Sequence, residues 1–345
     1  MSALKRKRII TISIFAFSTL FLFIASIFIG SSNISFIDGL LGLFGQGDHI
    51  NVVIVQNIRL PRIIAAVIAG AALALSGVIM QTMSNNVMAS PTTLGVSNAA
   101  VLGANVAIII LGGGTIIYSG GVVYINNPYI VTIFAFLFAF IGIISVLSLS
   151  RIKRFNNATT VLIGVTFGTF CTGVTTLVQY FANDISLATA IHWSFGDLGR
   201  ASYTDDLIML VVTLVSLAFF MVFSYRYNAM LLGNDSAATL GINLNVFRFI
   251  SLLLASLLTA VVVSLLGIIG FIGLIIPQLA RRLVGNDHKY LLVTSALFGS
   301  TVLLFSDVIS RILLLGYSLP VGAVTSILGA PIFIIILLTG RKKNA

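Results

Sequence analysis

The chain has 345 residues, 58% of them hydrophobic and 8% charged, with a formal net charge of +10 and a mean hydropathy of +1.13. A soluble domain carries about 25% charged residues, so this composition excludes a soluble fold and identifies a polytopic membrane protein. The basic residues fall in short clusters between apolar runs, as expected beside membrane spans, and not in a patch suited to nucleic acid.

In chain order, Lys5-Arg6-Lys7-Arg8 heads an apolar run over 9–30. It has the layout of a signal peptide but is long enough to span and lacks an A-x-A exit, which predicts an uncleaved first helix. Further runs long enough to cross about 30 Å of hydrocarbon lie at 60–82, 93–112, 128–149, 159–181, 206–224, 246–267, 290–310 and 321–338. The stretch 268–280 is short, and charge decides it. Ten crossings with both termini cytoplasmic put fifteen basic residues inside, leaving Arg59, Arg62, Arg200 and Arg311 outside; if 268–280 does not cross, the split becomes ten against nine. The positive-inside bias therefore favours ten helices. The expectation is an all-α helix bundle forming one transmembrane domain over 1–345, with short basic tails at 1–8 and 341–345. The segments 34–57, 183–205 and the glycine-rich loop around Gly112-Gly113-Gly114 and Gly120-Gly121 would be external.

The predicted spans are nearly free of ionisable residues at mid-membrane, where an ion-coupled carrier keeps them. No G-x-x-x-x-G-K-[ST] loop is present, since none of the six lysines follows a glycine, so ATP phosphates are not cradled here in that way. His49, His192 and His288 are assigned to loops, no H-E-x-x-H or G-x-S-x-G pattern occurs, and no catalytic residue or metal site is nominated. The lone Cys171 excludes an intrachain disulfide and reads as a small packing residue.

Two segments share one grammar of glycines, apolar residues and a basic end. Residues 59–100 read RLPRIIAAVIAGAALALSGVIMQTMSNNVMASPTTLGVSNAA, and residues 267–289 read GIIGFIGLIIPQLARRLVGNDHK. Together they resemble the permease family (FecCD/BtuC-like) of bacterial ABC importers for iron–siderophore, haem and cobalamin complexes, a likeness that runs from about Arg59 to the C-terminus. The resemblance implies an importer permease in the bacterial cell membrane. Its partners would be a second permease chain, identical or paralogous, two cytoplasmic ATP-binding subunits and an external binding protein, commonly a lipoprotein. ATP and magnesium would belong to the ATPases, and the cargo would be an iron chelate, haem or corrinoid. An ion-coupled secondary transporter or a channel is the alternative.

The same resemblance assigns roles. Arg59, Arg62 and Arg311 would meet acidic residues of the binding protein, the alternative being interfacial anchors that snorkel to the headgroups; Pro61 suits the first turn of a helix. Residues 231–241, with Leu232, Gly233, Asn234, Asp235, Ala237, Ala238, Leu240 and Gly241, resemble the family's ATPase-coupling helix, L-G-E-x-x-A-x-x-L-G, with Asn234 in place of the glutamate. Asn234 or Asp235 can cap such a helix and Gly241 can end it. Candidates for the pathway and gate are Gln81, Asn156, Asn157, Ala158 and Thr159, the G-x-x-x-G pair Gly164 and Gly168, and Gly270, Gly273 and Pro277; the competing reading is a helix cap for Asn156 and tight packing alone for Gly270, Gly273 and Pro277. The chain departs from the family at Gln278, where histidine is usual, and at Val87, where a proline is. Trp193 reads as an interfacial belt residue.

Overall fold

The computed structural model describes residues 3–30, 35–113, 116–119, 122–125, 128–152, 157–313 and 318–340. In chain order the elements are α1 (Ala3–Phe28), α2 (Phe36–Leu43), α3 (His49–Val53), α4 (Leu60–Met83) and α5 (Val96–Asn105), then strands β1 (Ile116–Ser119) and β2 (Val122–Ile125). There follow α6 (Pro128–Ile152), α7 (Asn157–Tyr180), α8 (Asp184–Ser194), α9 (Tyr203–Val222), α10 (Ser224–Met230) and α11 (Asn234–Thr239). The chain closes with α12 (Leu244–Leu266), α13 (Ile272–Val284), α14 (His288–Ile312) and α15 (Val321–Gly340).

Each of the ten predicted spans coincides with a helix. Among the described residues seven helical runs are long and apolar enough to cross a membrane; Val96–Ile110 and Val321–Ile336 are shorter, and α13 has 13 residues. The helical fold is as expected, with one small addition. Within the glycine-rich loop, β1 and β2 pair antiparallel with Ser119 opposite Val122. His49 and His288 open helices and His192 lies in α8, so the loop assignment of the histidines does not hold.

The chain forms two compact units, Met1–Leu75 with Asp197–Met221 and Ile269–Ala345, and Ser76–Gly196 with Val222–Ile268. In the first, α4 and α14 cross on glycine. A Cβ on Gly70 would fall on the Gly299 carbonyl group and 2.9 Å from Ser300 Cα, and Ser300 Oγ donates to the Val67 carbonyl at 2.6 Å. Without a hydrophobic drive between helices in lipid, such close backbone approach is a main source of cohesion. In the second unit Ser76 Oγ donates to the Ala255 carbonyl at 2.6 Å, and Cys171 is buried with Ala99 and Leu102, as a packing residue should be.

Pro61 stands in the first turn of α4, as expected, but the chain is already helical before it. The chain is helical from His49 through π-helical turns at Ile54–Arg59 and on to Met83. Pro61 lacks an N–H and its ring crowds the carbonyl four residues back; widening the preceding turn, so that Leu60 N–H donates to the Val55 carbonyl, absorbs it.

Candidate functional site

The arginines expected at the outer surface are the best-anchored side chains of the first unit. Arg59, Arg62 and Arg311 are only 4%, 6% and 5% exposed. Arg62 Nε donates to Asp307 Oδ1 at 2.7 Å and its Nη2 to Ser310 Oγ at 3.2 Å, while its Nη1 lies 3.9 Å from Asp197 Oδ1. Arg311 Nη2 is 2.8 Å from Asp307 Oδ2, and its Nη1 donates to the carbonyls of Ser26 and Ile29. Arg59 Nη1 donates to the carbonyls of Ile27, at 2.7 Å, and Phe28.

The end of α1 leaves carbonyls with no partner inside the helix, and two guanidiniums supply the missing donors. Gly30 leaves the room: a Cβ there would come 2.8 Å from Arg59 Nη2. Asp307, fully buried, is the acid that balances Arg62 and Arg311. Its signal in the sequence is its position four residues before Arg311 on one helix face. The three side chains are built into the helix ends, and with Asp307 and Asp197 as their acidic neighbours the cluster keeps an excess of positive charge.

Residues 231–241 form an exposed turn around α11. Ala237 is fully buried, while Leu231, Leu232 and Leu240 are exposed, Leu232 at 73%. Gly233 occupies the N-cap at φ +108°, and the Asn234 and Asp235 side chains expected to cap the helix lie outside those the structure describes. Gly241 ends the segment at φ +75°, the left-handed conformation expected of it, and its N–H donates to the Ala238 carbonyl. Ala238, like both glycines, is exposed.

The pathway candidates do not form one cluster. Gln81 is buried; Asn156 lies outside the described residues; Asn157, Ala158 and Thr159 open α7. Gly164 and Gly168 pack within the second unit. A Cβ on Gly164 would sit 2.7 Å from Leu94 Cα, and Asn98 Nδ2 donates to the Gly168 carbonyl at 3.1 Å. The pair thus receives the 93–98 segment and lines no open surface. The open face of α7 carries Thr169, Gly173 and Thr176 instead, and nothing lies within 4 Å of a Cβ built on Gly173. The threonine hydroxyls donate to carbonyls four residues back in the same helix, so the face is polar without unsatisfied donors. In the first unit, Gly273 and Pro277 are buried in α13 and a Cβ on Gly270 would meet Ser326 Oγ at 3.1 Å. Gln278 Nε2 donates to the Leu274 carbonyl at 3.4 Å.

Trp193 is 3% exposed and thus a core residue, not a belt residue; its carbonyl would lie 2.6 Å from a Cβ on Gly267, which requires glycine there twice over because φ is +80°.

An apolar helical bundle with small-residue crossings and an exposed leucine-bearing turn between α10 and α12 defines a polytopic membrane permease. The chain belongs to the FecCD transport family, the permeases of ABC importers, whose family model matches residues 18–339. The match starts well before Arg59, where the sequence resemblance begins. A candidate ABC transporter permease of Methanocaldococcus jannaschii is 45% identical over 93% of both chains. The vitamin B12 import system permease BtuC of Vibrio vulnificus is 33% identical over 84% of this chain and 83% of its own. The hemin transport system permease HmuU of Yersinia pestis is also 33% identical, over 84% of each. Among solved structures, an inward-facing conformation of a candidate metal-chelate type ABC transporter aligns with a TM-score of 0.81 and 27% identity, over 95% of this chain and 98% of that one.

Proposed function

We propose that this chain is the translocating subunit of an ATP-driven importer of a large metal chelate, an iron–siderophore complex with haem or a corrinoid as the nearest alternatives. It would pair with a second permease chain, identical or paralogous, and with two cytoplasmic ATP-binding subunits that supply ATP and magnesium. Cargo would arrive from an extracellular binding protein, a lipoprotein, at the cytoplasmic membrane of a bacterial cell. Relatives named for vitamin B12 and for hemin are equally similar to this chain, so similarity supports the cargo class and not one member. The metal-chelate neighbour supports iron chelates first.

The observation that carries the reading is the turn around α11. Three exposed leucines on a short segment bounded by open glycines are costly in water and suit a groove on a partner. Buried Ala237 fixes the turn to the rest of the second unit, so a push on the leucines moves α10 and α12 with it. The open threonine face of α7 is the stretch we assign to the pathway, with Gln81, Asn157, Ala158 and Thr159 of the same unit as further candidates; Gly270, Gly273 and Pro277 are proposed for the pathway from within the first unit. Docking of the binding protein would occur over Arg59, Arg62 and Arg311, whose excess positive charge steers an acidic partner without direct pairing. An ion-coupled carrier is not favoured, because buried Asp307 is already committed to two arginines.

Reconstitution tests the reading. Proteoliposomes holding this chain with its ATPase and binding protein should take up a ferric siderophore only when ATP is present, and the Leu232→Asp, Leu240→Asp variant should not. Uptake driven by an ion gradient without ATP would reject the proposal, and uptake of haem or cobalamin alone would move the cargo to that class.

A further inference from the structure

α1 is the least buried of the long apolar helices, and its outer side is a groove rather than a ridge. Phe15 stacks on Phe298 of α14 with ring centroids 4.2 Å apart, and Thr19 Oγ1 lies 2.8 Å from Thr301 Oγ1. These contacts draw the two helices together and leave a cleft beside them. One cavity, of about 370 Å³, is lined by Phe17, Ser18, Phe21 and, from α14, Thr301, Val302 and Phe305. A second, of about 360 Å³, continues it along α1 past Ile14 to Ile9 and shares Phe17 and Ser18 with the first.

From Ile9 to Leu22 the groove spans about 20 Å at 1.5 Å per residue, more than the ~15 Å of one leaflet's hydrocarbon. The groove is open along its length and lined almost wholly by apolar side chains, which suits an extended hydrocarbon chain.

Its head is basic. Lys5, Arg6 and Lys7 are exposed and make no ion pair among the described residues. Arg8 is not available: its Nε donates to the Val284 carbonyl at 2.8 Å, its Nη1 pairs with Asp287 at 3.1 Å and its guanidinium covers the Tyr290 ring. That clamp fixes the first turns of α1 against the start of α14 and leaves three exposed cations on the turn that precedes the groove. We infer that this groove holds an anionic phospholipid, its phosphate on Lys5, Arg6 and Lys7 and one acyl chain along Ile9, Ile14, Phe17 and Phe21. The inference does not depend on which side of the membrane the N-terminus occupies, or on the cargo.

Native mass spectrometry of the purified full-length chain, titrated with dioleoyl phosphatidylglycerol and with the zwitterionic phosphatidylcholine, tests it. Phosphatidylglycerol should bind about ten- to a hundred-fold more tightly, and Lys5→Gln, Arg6→Gln, Lys7→Gln should reduce it to the level of phosphatidylcholine. Ser18→Trp, which fills the groove, should weaken both lipids; should that variant not elute as folded protein, Val302→Trp, which enters from α14, is read in its place. Equal retention of the two lipids overturns the assignment, as does an unaffected charge variant. Full phosphatidylglycerol binding by the groove-filled variant would put the lipid elsewhere, and loss of a dimer with lipid adducts unchanged would give the groove to a second copy.

Discussion

Arg62 of α4 and Asp307 of α14 meet at 2.7 Å with the carboxylate fully buried, and this pair ties the two helices of the first unit together. Arg311 shares the same carboxylate. The position is therefore structural before it is functional, and any test of docking has to respect it. Reversing the charge of Arg62 would leave Asp307 facing a like charge and confound a binding defect with misfolding.

Asp307→Asn should destabilise the chain by about 3–5 kcal/mol, because it strands two guanidiniums away from water. Thermal unfolding in detergent measures this, and a shift below 1 kcal/mol would mean that the arginines find other partners. Arg59→Gln removes the charge but is too short to reach the Ile27 and Phe28 carbonyls, so it should lower stability by about 1–3 kcal/mol. In the protein that still folds, it should slow association with the binding protein most at low salt.

Glycines of the same composition should respond oppositely. Gly164→Ala and Gly299→Ala each place a Cβ against backbone and should cost about 1–3 kcal/mol or more. Gly173→Ala, in open space on α7, should be neutral or stabilising by up to about 1 kcal/mol. Equal effects at the three sites would undo the assignment of a packed and an open face.

Asp206, near the start of α9, is 4% exposed and neither carboxylate oxygen has a hydrogen-bond partner among the described residues. Asp206→Leu, which removes the buried polar group, should raise stability by about 1–3 kcal/mol, the usual cost of leaving such a group unsatisfied. A lower unfolding midpoint in the variant would show that a partner subunit satisfies the carboxylate.

Leu232→Asp with Leu240→Asp should leave the isolated chain as stable as before, since both are exposed and surface changes lie within about 0.5 kcal/mol. Co-purification of the ATPase should fall sharply. Ala237→Trp should instead destabilise the chain itself, because that site is fully buried. Undiminished ATPase binding by the leucine variant would move coupling to another cytoplasmic segment, with Arg281–Lys289 next.

Cysteines introduced beside Arg282 and Lys342, in a Cys171→Ser background, should react only with reagents that reach the cytoplasm. Labelling of either from outside would break the ten-crossing topology that charge asymmetry supports.

The sequence by itself determined the class: spans, their approximate ends, the family and the short exposed turn at 231–241. Those follow from local quantities, since apolar run length and the spacing of Gly233 and Gly241 are properties of neighbouring residues. It also carried the reason for tight crossings, glycines in apolar helices, but not their partners. Only the tertiary structure decided that Gly164 receives Thr93 and Leu94, that Gly70 receives Gly299, and that Trp193 is core. The arginines show the difference most clearly. A charged residue at a span end reads as exposed because burial of an unpaired charge is prohibitive, and that rule yields only when a carboxylate and free helix-end carbonyls converge on it. Asp307 is 245 residues from Arg62, and the carbonyls of Ile27 and Phe28 are about thirty residues from Arg59. No local pattern reports such convergence, because packing, not spacing, brings those groups within hydrogen-bond reach.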